Sequence, residues 1–300
     1  MHTKEEKIEA FARLLDVQER LRKECPWDRK QTYESLRPNT IEEVFELCDA
    51  LMKDDSENIC KELGDVMEHV LFYSIIGEET NDFDMADVCN KPADQLMFRH
   101  DFINWNTEGT WKVTNPDLVI DEYGRVVYRD ELKTDDLPVV DAYKPSTANE
   151  VEMTWEQRKQ KERDGNKTVL SGVPDALPSL IKAYRIQDKA RNVGFDWKDK
   201  VDVWDKVREE LEEFEVELRK EDKEKATREL GDFLFSIINA ARLYHLNPAN
   251  ALELTNQKFI SRFGYVEKQL KMQHKSFADS TLEEMDKLWN EAKIMESKNN

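Results

Sequence analysis

No apolar run in this 300-residue sequence approaches the roughly 20 residues that a membrane-spanning helix needs. The N-terminus, Met1-His2-Thr3-Lys4-Glu5-Glu6-Lys7, lacks the apolar core of a signal peptide, so a cytoplasmic address is the expectation, with no membrane partner. Basic residues are also in deficit: 45 Lys and Arg face 64 Asp and Glu, for a net charge of −19. A general DNA or RNA binder needs a basic face to neutralise phosphates, so no nucleic-acid partner is expected, although local cations remain available to a small phosphate ligand. Cysteine is scarce. Cys25, Cys48, Cys60 and Cys89 all lie in the first third without a CxxC pair, and read as reduced thiols, some of them in the core. Neither His69 nor His100 stands at zinc-finger spacing from them.

What is abundant is charge and apolar residues in helical period, 36% and 39% of the chain, which suits long amphipathic helices. Ile8, Phe11, Leu14, Leu15 and Leu21 mark one face of a first helix, and Thr3 with Glu6 forms a capping-box pattern. A loop is expected at Cys25-Pro26-Trp27-Asp28, then a helix over 41–53 with Thr40 as N-cap. Another is expected over 56–76, ended by Gly77, and a fourth over 84–99 with Pro92 inside its pattern. Residues 101–150 lose helical period, and Val119-Ile120 and Val126-Val127-Tyr128 flank a turn at Gly124, the pattern of a β-hairpin. Helical pattern resumes near Glu150, with helices expected over 175–191, 200–220, 222–245, 248–271 and 281–295. The expected division is 1–100, an N-terminal helical repeat; 101–165, insert and linker; and 166–300, a C-terminal helical repeat.

An internal repeat stands out. Glu42-Glu43-x-x-Glu46 and Glu62-Leu63-Gly64-Asp65 recur as Glu209-Glu210-x-x-Glu213 and Glu229-Leu230-Gly231-Asp232, every position displaced by 167 residues. On a helix, residues three apart share a face, so Glu210 and Glu213 project together, as do Glu229 and Asp232. Two neighbouring antiparallel helices at roughly 8–10 Å would aim these four carboxylates at one point, where like charges need a neutralising ion. Oxygen-only ligands favour Mg²⁺ or Mn²⁺ over zinc. The plainer alternative is that the acidic stretches are solvated helix faces, with Glu43 serving a capping box begun by Thr40. A ferritin-like iron bundle would need Glu-x-x-His twice, and none of the five histidines follows a Glu at that spacing.

The ordered motifs resemble the MazG nucleotide pyrophosphohydrolases. Cys25-Pro26-Trp27-Asp28, Gln31-Thr32, Ser35-Leu36-Arg37-Pro38 and Thr40-Ile41-Glu42-Glu43 carry the likeness in the first half. In the second half it lies in Gly172-Val173-Pro174, Ala176-Leu177-Pro178, Ala183-Tyr184-Arg185-Ile186-Gln187, Val193-Gly194-Phe195-Asp196-Trp197 and Leu282-Glu283-Glu284-Met285. The resemblance covers nearly all of the chain outside about 101–150. It implies a tandem all-α fold, a homodimer, and Mg²⁺-dependent hydrolysis of nucleoside triphosphates to monophosphate and pyrophosphate; stacking of the base on Trp289, which suits every base, adds an expectation of broad base tolerance. It further implies Glu210, Glu213, Glu229 and Asp232 as metal ligands with Glu209 beside them; as the spare carboxylate, Glu209 is the candidate to orient the attacking water. Lys206, Lys225, Lys258, Arg262, Trp289 and Lys293 are the implied nucleotide contacts, Trp289 as a platform for the base. Each of those cations, and Trp289, also reads as an ordinary surface or core residue when taken alone.

Comparing the copies favours the second. Lys258-Phe259-x-x-Arg262 has Gln95-Leu96-x-x-Arg99 as its counterpart in the first half, which has no equivalent of Trp289 and Lys293. A second, weaker metal site at Glu43, Glu46, Glu62 and Asp65 therefore accompanies a chiefly structural or regulatory first repeat. The family pattern is broken after Arg99-His100, where Asp101-Phe102 follows. A reading from a different class is a non-catalytic acidic helical module that binds a basic protein.

Overall fold

The protein, seen in a computed structural model, is described over residues 1–107, 111–133, 145–163, 168–197 and 199–299. It divides into two compact units, Met1–Lys161 and Glu162–Asn300.

The first unit contains α1 (Lys4–Glu24), the short α2 (Pro26–Arg29), α3 (Tyr33–Met52), α4 (Ser56–Glu79), α5 (Met85–Arg99), strands β1 (Leu118–Ile120) and β2 (Val126–Tyr128), and α6 (Ala148–Gln160). The Thr3–Glu6 capping box is present. Several local expectations need correction. Pro26–Arg29 is a short helix and not a loop, with Pro26 in its first turn, where a missing backbone N–H costs nothing. α3 begins at Tyr33, not after Pro38, because Thr32 and Ser35 cap it reciprocally. Pro38 forfeits one backbone bond inside that helix, a cost the capped first turn and the packed face offset. Thr40 is therefore no N-cap: its hydroxyl bonds the Leu36 carbonyl and joins His69 Nδ1 at 2.9 Å and the Tyr73 hydroxyl at 2.6 Å. Glu43 is thereby released from any capping duty. Gly77 does not end α4, which runs on to Glu79, and Asn81 takes the left-handed turn with φ 57°. Gly77 serves close packing, since a Cβ there would meet the Phe83 ring at 2.8 Å. Finally, Cys25 is half-buried and Cys48, Cys60 and Cys89 are exposed, so none is a core residue.

Leu36, Phe72 and Ile76 form one core cluster of this unit, between α3 and α4. Burying each such side chain contributes about 2 kcal/mol. The hairpin forms as expected, with Leu118 opposite Tyr128, and Gly124 supplies φ 81° at its turn. Leu118, Val126 and Tyr128 pack on Met97 and Phe98 of α5, and Arg158 of α6 lies over the Phe98 ring. Hairpin and α6 thus belong to the first unit.

The second unit contains α7 (Ser179–Asn192), α8 (Asp202–Arg219), α9 (Lys223–Leu243), α10 (Pro248–Met272) and α11 (Leu282–Asn299). Val203 and Val207 of α8 meet Ala240 and Leu243 of α9 in one cluster, and Val266 and Leu270 of α10 meet Leu288 of α11 in another. The α3–α4 and α8–α9 connections repeat at the level of single residues. Asp54 and Glu221 take left-handed φ of 52° and 57°; Asp55 and Asp222 follow as N-caps, accepting from the amides of Asn58 and Lys225. Each pair is again displaced by 167. Two copies of one helical hairpin therefore carry the acidic motifs.

Candidate metal and nucleotide site

The repeated hairpins bring the corresponding three carboxylates together in each unit. Glu210 of α8 converges with Glu229 and Asp232 of α9, and Glu43 of α3 with Glu62 and Asp65 of α4, one oxygen from each lying within 4.8 Å of the other two. Oxygens around Mg²⁺ stand at most roughly 4 Å apart, so a small inward movement would complete coordination. The donor set, all carboxylate oxygen, suits a hard cation. Further support comes from the first unit, where Glu62 is buried and its Oε2 has no partner.

The fourth carboxylate of each set stands outside the trio. Glu213 is exposed, one turn beyond Glu210, yet near enough to act on Glu229 electrostatically. Burial pushes the Glu229 carboxyl up, and the negative charges of Glu213, Asp232, Glu210 and Glu217 push it further. Glu43 is raised in the same manner, by burial first and then by Asp65, Glu46 and Glu62, with His69 opposing. Crowded acids hold their protons more tightly, which is the electrostatic signature of a site waiting for positive charge.

A lysine answers part of that demand in each unit. Lys206 Nζ lies 2.6 Å from Glu210 Oε1 and 3.0 Å from Glu209 Oε1. These two bonds, that to Glu210 first, raise the Lys206 pKa above its ordinary value. In the first unit Lys61 plays the corresponding part, 2.9 Å from Glu62 and 3.3 Å from Asp65. The cages otherwise differ in their cations. Lys206 and Lys225 both map onto asparagines, Asn39 and Asn58, at the 167-residue displacement. That contrast was open to a comparison of the copies.

The remaining expected contacts fall on α10 and α11. Arg262 bonds Glu296 through Nε at 2.9 Å and lies over the Trp289 ring at 5.7 Å. Phe259 packs on the same indole with centroids 5.0 Å apart. Trp289 therefore already carries two neighbours on its ring. Lys225 pairs with Asp222 at 3.2 Å, whereas Lys258 and Lys293 have no ion pair among the described residues.

A second feature escaped the sequence reading. A cavity of about 680 Å³ opens between α7, α8 and α9, with the 193–197 turn along its rim. Inside it the Arg242 guanidinium forms a two-pronged pair with Asp196 and bonds Asn239 Oδ1.

Among the described residues no helix is long and apolar enough to cross a membrane. Residues 31–103 and 202–266 match the model of the MazG nucleotide pyrophosphohydrolase domain, one match on each helical hairpin. The chain is 32% identical over 291 residues to the nucleoside triphosphate pyrophosphohydrolase of Escherichia coli K12, covering 95% of this chain and 97% of that protein. It is 31% identical over 286 residues to the nucleoside triphosphate pyrophosphohydrolase/pyrophosphatase MazG of Thermotoga maritima, covering 94% and 95%. An uncharacterized Bacillus subtilis protein, YabN, is 36% identical over 274 residues, 91% of this chain but 49% of that one. With twin acidic hairpins, both matched by the family model, and likeness along almost the full length of its relatives, this chain belongs to the MazG nucleotide pyrophosphohydrolase family.

Proposed function

We propose that the second unit hydrolyses nucleoside triphosphates to monophosphate and pyrophosphate, using Mg²⁺ held by Glu210, Glu229 and Asp232, with Glu213 closing on the ion. Mn²⁺ would fit the same oxygen donors. The observation that carries this reading is the Glu210–Glu229–Asp232 trio bordered by Lys206 and Lys225, cations that the first unit lacks at the matching positions. Bound there, the ion supplies positive charge against the triphosphate oxygens and the charge that develops on them.

The chain's own residues do the rest. Glu209, outside the trio and tethered by Lys206, accepts a proton from the attacking water. As the water oxygen bonds to the α-phosphorus, the α–β bridging bond breaks and pyrophosphate departs with the bond electrons. Lys225, Lys258, Arg262 and Lys293 offset the negative charge on the departing group. Trp289 acts through Arg262, whose plane it supports together with Glu296. The first unit, with its weaker cation complement, holds metal at Glu43, Glu62 and Asp65, with Glu46 nearby, and plays a structural or regulatory part.

We further propose a homodimer. Leu211, Leu230, Leu234, Ile237, Phe259 and Ile260 leave apolar surface exposed along α8, α9 and α10, more than a lone unit needs to show.

Incubation with mixed nucleoside triphosphates and Mg²⁺ tests the activity directly. Pyrophosphate with monophosphate is the expected product pair. Orthophosphate with diphosphate would mean attack at the γ-phosphorus, and no product at all would favour an acidic binding module.

A further inference from the structure

The first unit carries a second acidic feature beside its carboxylate cage. A groove of about 410 Å³ runs between α3 and α4. Glu42, Phe45, Glu46, Asp49 and Lys53 line it from α3 at the spacing of a single helix face, and Asn58 and Glu62 line it from α4. Ala50 closes it as a buried methyl, where the matching position of the second unit holds Glu217.

Its cations are already committed. Lys53 Nζ lies 2.5 Å from Asp49 Oδ2, and Lys61 holds Glu62 Oε1 at 2.9 Å. Glu42 and Glu46 make no ion pair among the described residues. Glu62 is 6% exposed, the buried carboxylate of the lining, and its Oε2 has no hydrogen-bond partner. A buried acceptor in that state costs free energy until a donor reaches it. The second unit has Lys225 at the position of Asn58, whose own amide donates to Asp55 at 2.8 Å. The unmet demand of the groove is therefore positive charge that donates hydrogen bonds, and a phosphate or carboxylate would be repelled.

The layout of that demand does not suit a single ion. A chelated cation needs its oxygens on one small sphere. Among the described residues, Glu42, Glu46 and Asp49 stand outside the trio whose oxygens converge within 4.8 Å. Glu42 and Asp49 are seven residues apart on α3, about 10 Å along the helix. Carboxylates strung along a helix match cations strung along a chain. Phe45, 57% exposed, lies among them where the second unit has Glu212, and its ring offers a surface to methylenes and ammonium alike. We propose that this groove binds a linear aliphatic polyamine, with ammonium groups at Glu62 Oε2, Glu46 and Glu42 and methylenes against Phe45. Glu62 serves both cage and groove, since the cage asks for one of its oxygens.

Spermidine, a linear triamine, is the probe. The full chain is titrated with it calorimetrically in EDTA at physiological ionic strength, where unspecific attraction to a net charge of −19 is screened. A single saturable site is expected. Glu62→Gln should weaken it about tenfold or more, the scale of a hydrogen bond to a charged group. Asp49→Val/Asn58→Lys gives two exposed positions the residues of the second unit, and should weaken binding by a similar factor. It also keeps the test decisive should Glu62→Gln fail to fold. Glu229→Gln, in the other unit, should leave spermidine binding unchanged. Absence of a saturable site overturns the proposal, as does binding that survives the first-unit variants or falls equally in Glu229→Gln. Binding of pentalysine without binding of spermidine overturns it in favour of a basic protein partner. Every readout is taken without nucleotide, so the result stands whether or not the second unit hydrolyses triphosphates.

Discussion

Lys206 reaches forward one turn of α8 to place its ammonium 2.6 Å from Glu210, a carboxylate that also neighbours Glu229 and Asp232. A lysine so placed competes with a metal ion for Glu210 while no nucleotide is present, and serves the phosphates once one arrives. Lys206→Ala should therefore tighten Mg²⁺ binding to the nucleotide-free protein by roughly threefold, the scale of one partly screened ion pair. The same variant should raise KM for the triphosphate. Calorimetric Mg²⁺ titration and steady-state kinetics measure the two effects, and weakened Mg²⁺ binding would show that the lysine holds the cage together instead.

Glu229→Gln removes a ligand charge and almost no volume. Turnover should fall by at least about a hundredfold, more than the loss of a residue merely supporting a ligand, with thermal unfolding still cooperative. Glu62→Gln, the matching change in the first unit, should leave most of the turnover. A comparable loss at Glu62 would move the chemistry to the first unit and overturn its placement in the second.

Glu229 holds its proton more tightly in the folded chain than an ordinary glutamate. A carboxyl raised on folding contributes stability that is present at low pH and lost as pH rises through its folded pKa. In EDTA, the gain in Tm from Glu229→Gln over wild type should thus be largest near neutral pH. It should shrink on acidification through the carboxylate range. Saturating Mg²⁺ should reverse the order at neutral pH, because the ion binds the ionised cage of the wild type. A pH-independent gap between the two proteins in EDTA would contradict the raised pKa.

Arg242 and Asp196 join the end of α9 to the 193–197 turn in a nearly buried pair. Asp196→Ala strands the guanidinium, which costs about 3 kcal/mol. Urea unfolding should register that loss, with partial recovery in the double variant Asp196→Ala/Arg242→Met. An Asp196→Ala protein of unchanged stability would mean that the pair is solvated.

Leu234 stands exposed on α9 between Asp232 and the cavity residues. Leu234→Glu should convert the expected dimer to monomer in sedimentation analysis. A wild type that sediments as monomer at micromolar concentration would remove the dimer from the account.

The twin hairpins were legible in the residues alone, because helical period, capping chemistry and the 167-residue displacement are local or countable properties. Thr3 and Glu6, and the Val119–Gly124–Val127 pattern, announced their elements through short-range hydrogen bonding and alternation. Pro38 and Gly77 misled for the converse reason. Each weakens a helix locally, and caps or packing several residues away decide whether the helix continues.

Sequence by itself determined that four carboxylates of each copy would share helix faces, since i, i+3 spacing settles direction around one axis. Only tertiary structure decided that Glu210, Glu229 and Asp232 meet while Glu213 stays outside, and that a space opens beside Gln187. Distances between helices and the volumes left between them arise from how whole faces pack, and no single segment contains that information.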